Sequence, residues 1–156
     1  MTVARATCTC EKCGKVFEVV TKRPNRRDAD NFEGWAEENI TVCPECGKAA
    51  KEEAYQREAE AARKKADERG LPRLTGSEKQ IRWALVIREK QIDEIEQLIY
   101  KAGKLAATDK ERQILSGFKV CAEKLFRETD AGYWIESRNF GAAELARNYH
   151  KTREGK

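Results

Sequence analysis

The apolar residues in the second half of the chain recur every three or four positions, which is the period of an amphipathic helix. One apolar stripe comprises Ile81, Leu85, Ile92, Ile95, Ile99 and Ala102. Arg88 interrupts this stripe, because a charged residue stands where the period places an apolar one. A second stripe lies within residues 114–125, and residues 133–135 begin a third apolar segment. The pattern therefore predicts several amphipathic helices.

Capping signals mark where these helices begin. Residues 75–80 hold two overlapping capping boxes, Thr108 and Glu111 form another, and Asp130 can cap a third helix. Amphipathic helices of this kind bury their stripes only against one another. Residues 71–156 are therefore predicted to form a small antiparallel helical bundle.

Residues 48–70 combine alanines with charges of both signs, and Tyr55 is their only large apolar residue. Acidic residues precede basic ones by four positions, as Glu53 precedes Arg57. Each pair in this order supports a helix by about 0.2–0.5 kcal/mol. This segment is predicted to be a charged connecting helix that is exposed to solvent.

The first 47 residues show a different pattern. Residues 16–20 and 40–42 are rich in β-favouring residues and predict two paired strands. Between them, one face of a short helix would carry Phe32, Trp35, Ala36 and Ile40. The predicted fold class is therefore α+β and mostly α: a ribbon of residues 1–47 with a helical insertion, then the connecting helix and the bundle.

A six-residue string occurs twice in this ribbon. Residues 10–15 and 43–48 both read Cys-x-x-Cys-Gly-Lys. Two such pairs can supply four thiolates to one ion, which is the ligand set and spacing of structural zinc. The glycine after each second cysteine predicts a sharp turn with positive φ. We predict one structural zinc ion with the ligands Cys10, Cys13, Cys43 and Cys46.

Cys8 offers a further thiol next to the first pair. In a strand, Cys8 and Cys10 share a face, so Cys8 could lie close to the metal and replace Cys10 as a ligand. The repeated string favours Cys10 as the ligand. Cys8 is then predicted to be a small buried thiol that does not bind the metal.

The composition is strongly polar. Charged residues make up 37% of the chain, the net charge is +4 and the mean hydropathy is −0.80. No apolar run approaches the roughly 20 residues of a membrane span. Residues 2–6 are not followed by the apolar core of a signal peptide. We therefore expect a cytoplasmic protein with no membrane partner, whose thiols bind metal and form no disulfides.

Signals of catalysis are weak. His150 is the only histidine, and the usual metalloprotease, serine-hydrolase and phosphate-loop motifs do not occur. Four thiolates would also close a zinc shell, which leaves no position for a reactive water. We expect no enzymatic activity.

The densest basic cluster follows the first predicted ribbon strand. Its members, which we call the basic cluster, are Lys22, Arg23, Arg26 and Arg27. Basic side chains on such a loop are suited to contact phosphates. We predict that the basic cluster is the surface that binds a partner.

Residues 8–47 resemble zinc ribbons of the Cys-x-x-Cys-Gly-Lys type, which occur in many nucleic-acid-handling proteins. Residues 74–88 and 133–138 resemble a segment pair in small bacterial and phage accessory proteins of mobile elements. The resemblance implies a zinc-binding adaptor that binds nucleic acid or a complex that handles it. The alternative that it implies is an inhibitor of a host RNA-guided nuclease, of the anti-CRISPR kind.

Overall fold

The computed structural model describes the backbone of residues 1–153 and the side chains of residues 1–149. Over this range the chain is mostly helical, as predicted, and it contains one small antiparallel sheet. It divides into two compact units, Met1–Tyr55 and Gln56–Lys156, which we call the sheet unit and the helical unit. The elements in chain order are β1 (Thr2–Thr9), β2 (Val16–Arg23), α1 (Arg26–Asn39), α2 (Pro44–Glu68), α3 (Glu78–Leu105), α4 (Asp109–Phe126), α5 (Ala131–Glu136) and α6 (Ala142–Arg153), with a short 3-10 helix, Ser137–Asn139, after α5.

The sheet unit is built on a hairpin. β1 and β2 pair antiparallel along their whole length. Alternate residues of β1 face inward, as expected for a strand, and their side chains are small. Helix α1 covers this face, so the core beneath it is small. Its buried members are Ala6, Cys8 and Ala36, with Phe17, Val19, Phe32 and Ile40 partly buried around them.

Helix α1 confirms the predicted helical insertion. It begins after Asn25, whose side chain accepts a hydrogen bond from the backbone N–H of Asp28 at 2.9 Å. Its buried face carries Ala29 and Ala36. Trp35 was predicted on that face, but it is 52% exposed. It lies one position from Ala36, which turns it about 100° around the helix and away from the sheet.

The predicted strand at residues 40–42 is wrong. β2 pairs instead with β1, which offers eight residues in register. Helix α1 continues to Asn39, so too few residues remain before Cys43 to form a paired strand. Within that segment Thr41 makes one backbone contact to the hairpin turn, where its carbonyl accepts from the N–H of Glu11 at 2.8 Å.

Helix α2 begins at Pro44, four residues before the predicted start of the connecting helix. Proline suits the first helical position, because its fixed φ matches the helix and it has no N–H to satisfy there. In the later half of α2, Ala59, Ala62 and Ala66 are buried at three- and four-residue spacing. The prediction of a solvent-exposed spacer is wrong for this face, because these three alanines are buried and Ala62 belongs to the core of the helical unit.

The core of the helical unit centres on α3, which packs against α4, α5 and α6. Three residues, 106–108, join α3 to α4, and so short a connection sets the two helices antiparallel. Among the described residues, no helix is both long enough and apolar enough to cross a bilayer. The fully buried large core side chains include Ile92, Ile95, Leu125 and Trp134.

The predicted caps of these helices are confirmed. Ser77 and Gln80 form a capping box at the start of α3, and Thr108 and Glu111 form one at the start of α4. The side chain of Asp130 caps α5. Each cap satisfies backbone N–H groups that a helix leaves without partners at its first turn.

Candidate metal centre

The first cysteine pair lies in the tight turn between β1 and β2. The N–H of Cys10 donates to the carbonyl of Lys15 at 2.9 Å, and the N–H of Gly14 donates to the carbonyl of Cys10 at 2.8 Å. Gly14 has φ +70°, as predicted, a value that residues with a Cβ rarely adopt. The turn therefore brings the thiols of Cys10 and Cys13 to the same end of the hairpin.

The second pair lies at the start of α2. Cys43 directly precedes the helix, and its Sγ accepts a hydrogen bond from the N–H of Cys46 at 3.4 Å. This is the position and contact of an N-capping side chain. Gly47 is helical, with no positive φ, so the predicted turn there is wrong. A helix N-terminus instead replaces the turn, and its dipole favours thiolates.

The two pairs meet. The Sγ atoms of Cys10, Cys13, Cys43 and Cys46 all lie within 4.8 Å of one another. Cys13 Sγ and Cys43 Sγ are 3.8 Å apart. A tetrahedral ion with bonds of about 2.3 Å to sulfur separates its ligand atoms by about 3.8 Å. The predicted cluster of four cysteines is therefore confirmed, and its dimensions fit one tetrahedral metal ion.

Polar contacts hold the two pairs together. Lys15 Nζ and a Glu45 carboxylate oxygen are 3.1 Å apart, which links the hairpin turn to the first turn of α2. Glu45 raises the pKa of Lys15, both by hydrogen bonding and by its charge. No sequence pattern indicated this contact, although Lys15 and Glu45 both lie within the two cysteine strings.

The surroundings shift the pKa values of the Cys10 and Cys46 thiols in opposite directions. The backbone N–H of Cys43 is the main cause that lowers the pKa of the Cys10 thiol to about 6, and burial partly opposes it. Hydrogen bonding to the side chains of Cys43 and Cys13 raises the pKa of the Cys46 thiol to about 12. The Cys10 thiol therefore ionises readily, whereas ionisation of the Cys46 thiol is disfavoured. A bound divalent cation removes this obstacle, because it deprotonates the thiols that it binds.

Cys8 lies apart from the cluster. Its side chain is 2% exposed and belongs to the small core under α1, where its Sγ donates to the carbonyl of Ala36 at 3.5 Å. Cys8 and Cys10 are two residues apart and both are buried, but only Cys10 belongs to the cluster. The burial of Cys8 is confirmed.

We therefore expect the Cys8→Ser variant to keep its full metal content. The hydroxyl of serine fits the space of the thiol, and all four clustered sulfurs remain. Elemental analysis of the purified variant beside the wild type checks this. A loss of metal with the helical content unchanged would identify Cys8 as a ligand in place of one of the four.

The basic cluster lies where β2 ends and α1 begins. Arg23 stacks on Phe32, with its guanidinium carbon 4.1 Å from the ring centroid. Arg26 pairs with Asp30 at 2.6 Å within α1. Lys22 and Arg27 are exposed, as is Arg26. Two of the four cations are thus engaged with neighbouring side chains of the same unit, and the role of the cluster in binding stays a prediction.

Aromatic residues of the helical unit fall into two groups. Trp134 is fully buried in the core of the helical unit. Trp83 is 43% exposed. Arg138 lies over its ring, with the guanidinium carbon 5.5 Å from the ring centroid.

The side chain of His150 lies outside the described residues. The predicted absence of enzymatic activity thus stays a prediction. The same holds for the resemblance to zinc ribbons and to phage accessory proteins, which depends on short motifs. No protein-family model, no curated protein and no solved structure matches the chain.

Proposed function

We propose that the protein is a non-enzymatic, zinc-binding adaptor of the cytoplasm, with one structural zinc ion held by Cys10, Cys13, Cys43 and Cys46. In this proposal its partner is nucleic acid or a complex that handles nucleic acid. The observation that carries the zinc proposal is the cluster of four sulfur atoms within 4.8 Å of one another. Elemental analysis of the purified protein tests it.

The size of the core supports a structural role for the metal. The buried apolar residues of the sheet unit outside the four clustered cysteines are all small: Ala4, Ala6, Cys8, Ala29 and Ala36. A small unit with so little apolar burial usually needs a metal or disulfides to stay folded. The cluster joins the hairpin turn to the start of α2, so a bound ion would cross-link two segments that are about 30 residues apart in the chain.

The donor set supports zinc and argues against catalysis. Thiolates are soft ligands that select zinc over the hard cations calcium and magnesium. Four of them close a tetrahedral shell and leave no site for a water or a substrate. An ion bound in this way stabilises the fold and offers no Lewis-acid position.

The basic cluster supports the nucleic-acid partner. Lys22, Arg26 and Arg27 are exposed beside the end of β2, on one edge of the sheet unit. Trp35 and Phe32 lie nearby on α1, with ring centroids 5.9 Å apart. Exposed cations beside an exposed aromatic ring are the elements from which single-stranded nucleic acid is bound, through phosphate contacts and base stacking.

The charge balance of the sheet unit favours the second candidate, an inhibitor that docks on a host RNA-guided nuclease. Residues 1–55 contain nine lysines and arginines but ten aspartates and glutamates. Four thiolates around a divalent ion add further negative charge. A unit without net positive charge gains little from the general attraction of the phosphate backbone. A protein partner needs no such attraction.

Replacement of the basic cluster by alanine separates the two candidates. For a nucleic-acid adaptor, the variant Lys22→Ala/Arg23→Ala/Arg26→Ala/Arg27→Ala should bind DNA or RNA more weakly, since phosphate contacts are lost. The salt dependence should flatten by up to about 0.9 per lost contact on duplex DNA. Fluorescence anisotropy with single- and double-stranded DNA and RNA, at several salt concentrations, measures both effects.

The matched control removes four exposed cations from α4 and the residue after it: Lys110, Lys119, Lys124 and Arg127. An equal loss of binding in both variants would mean diffuse attraction and would contradict a defined site. A wild-type protein that binds none of the nucleic acids at low salt would refute the adaptor. Co-purification with a nuclease from host cells would then test the inhibitor.

A further inference from the structure

The residue that breaks the apolar stripe of α3 is buried. Arg88 is 2% exposed and lies one turn after Leu85 and one turn before Ile92, both of which belong to the core. Its Nη1 donates to the carbonyl of Pro72 at 2.8 Å. Among the described residues this is its one hydrogen bond, and no carboxylate pairs with it. A guanidinium carries five N–H donors, so most of them have no acceptor in the protein.

A guanidinium in this position keeps its charge. Burial lowers the pKa of Arg88, and the charges of Glu89 and Asp67 partly offset that effect. Arginine nevertheless stays protonated at neutral pH, because its ordinary pKa lies far above neutrality. Glu89 is directed elsewhere, since its carboxylate pairs with Lys65 at 3.0 Å. Arg88 thus has carboxylates nearby but none in direct contact, so an anion that reaches its guanidinium would be bound favourably.

Arg88 lines a pocket that an anion could enter. The pocket has a volume of about 290 Å³ and lies between the last turns of α2, residues 71–74 and the first half of α3. Arg63 and Arg73, whose side chains are exposed, also line it, and Asp67 is its one acidic residue. The rest of the wall is apolar and consists of Ala66, Leu71, Pro72, Leu74, Ile81 and Leu85.

We propose that this pocket binds a small organic oxyanion, a carboxylate or a phosphate ester that carries an apolar body. Arg88 would hold the oxyanion through the planar pair of N–H groups that matches both kinds of head group. Arg63 and Arg73 would contribute the further positive charge. The apolar wall would take up the body of the ligand, as ligand pockets commonly combine an apolar lining with a few placed polar groups.

The volume sets the size of the ligand. A cavity of about 150 Å³ accommodates a benzene ring. The pocket is about 290 Å³, so it has room for one ring or a short branched chain together with its charged head group. This site is independent of the cysteine cluster, because every lining residue belongs to the helical unit.

Benzoate and phenyl phosphate are suitable probes, with acetate and inorganic phosphate as the matching anions that lack the ring. Isothermal titration of the full-length protein should give an affinity at least about tenfold higher for an aryl anion than for its small counterpart, because the ring leaves water. Whichever of the two aryl anions binds more tightly shows whether the pocket prefers a carboxylate or a phosphate head group. Absence of binding by both aryl anions at millimolar concentration overturns the proposal.

Arg88→Met is the decisive variant, because it removes the charge and keeps the length of the side chain. The affinity for the aryl anion should fall by about tenfold or more, since a charge-assisted hydrogen bond is lost. Circular dichroism should remain that of the wild type, because no ion pair of Arg88 is broken. Unchanged affinity in the folded variant overturns the proposal.

A second variant decides the question if Arg88→Met does not fold. Arg63→Ala/Arg73→Ala changes two exposed side chains at the pocket and should weaken binding of the aryl anion severalfold. Arg57→Ala is its control, since Arg57 is an exposed arginine of α2 that does not line the pocket. Equal weakening by the control and the double variant, or no weakening by the double variant, refutes a defined anion site.

Discussion

The Cys43→Ser/Cys46→Ser variant is expected to lose both its metal and the fold of the sheet unit. These two residues are the two cluster cysteines at the start of α2, so the variant lacks half of the sulfur ligands. Zinc bound by such sites contributes an apparent free energy of about 10–16 kcal/mol to folding at neutral pH. The small buried side chains of this unit outside the cluster, Ala4, Ala6, Cys8, Ala29 and Ala36, cannot replace that contribution. The hairpin should therefore unfold.

Two measurements check this result. Elemental analysis should find about one zinc per chain in the wild type and almost none in the variant. Hydrogen exchange followed by mass spectrometry should show lost protection in β1, β2 and α1. Amides of α3 should stay protected, because its core residues all belong to the helical unit. A chelator added to the wild type should have the same effect.

Cys121→Ser is the matched control, since Cys121 is a half-buried thiol on α4 outside the cluster. It should keep its zinc and the protection of the hairpin. Full zinc retention in the double variant would refute the assigned ligands. If the wild type instead contained one equivalent of a different metal, the choice of zinc would be wrong. The four cysteines would still be the metal-binding site.

The Trp134→Ala variant should lower the free energy of unfolding of the helical unit by about 3–5 kcal/mol. Trp134 is the largest fully buried side chain of the described residues. Its indole N–H donates to the carbonyl of Glu128 at 3.3 Å, and its ring meets that of Tyr133 edge-on at 6.1 Å. Truncation removes the apolar contacts, opens a cavity and leaves a buried carbonyl without this donor. Small domains have a total stability of about 5–15 kcal/mol, so the loss is large.

Urea unfolding, followed by the circular dichroism of the helices, measures the change. Trp83→Ala provides the control, because Trp83 is the same residue type in the same unit but is 43% exposed. Its effect should stay near the roughly 0.5 kcal/mol that is usual for surface positions. Zinc content should not change in either variant. Equal losses of stability in the two variants would contradict the assigned core.

The sequence determined those features that depend on residues close together in the chain. Ser77 with Gln80, and Thr108 with Glu111, form their capping boxes over three positions, and the helices begin there. The apolar stripe of α3 is equally local, because a period of three to four residues places its members on one face whatever packs against it. The spacing within each cysteine pair is local too, and with the repeat it identified the four clustered residues.

Tertiary structure decided what each segment pairs with. Residues 40–42 have β-favouring side chains, yet β2 pairs with β1, whose inward residues Ala4, Ala6 and Cys8 are small and give little strand signal. The inward side chains of β1 have to be small because α1 packs against this face of the strand. Strand pairing depends on register and on what covers the sheet, and neither is encoded within five residues of sequence.

Arg88 illustrates the same division. Its place in the stripe marked it as an irregularity, but the stripe could not distinguish a solvated charge from a buried one. Arg88 is buried because the last turns of α2 and residues 71–74 lie beside the first half of α3. There the carbonyl of Pro72 accepts a hydrogen bond from its guanidinium. The sequence determines the elements because hydrogen bonds and periodicity act over a few residues. The site at Arg88 depends on contacts between segments distant in the chain, which only the folded structure brings together.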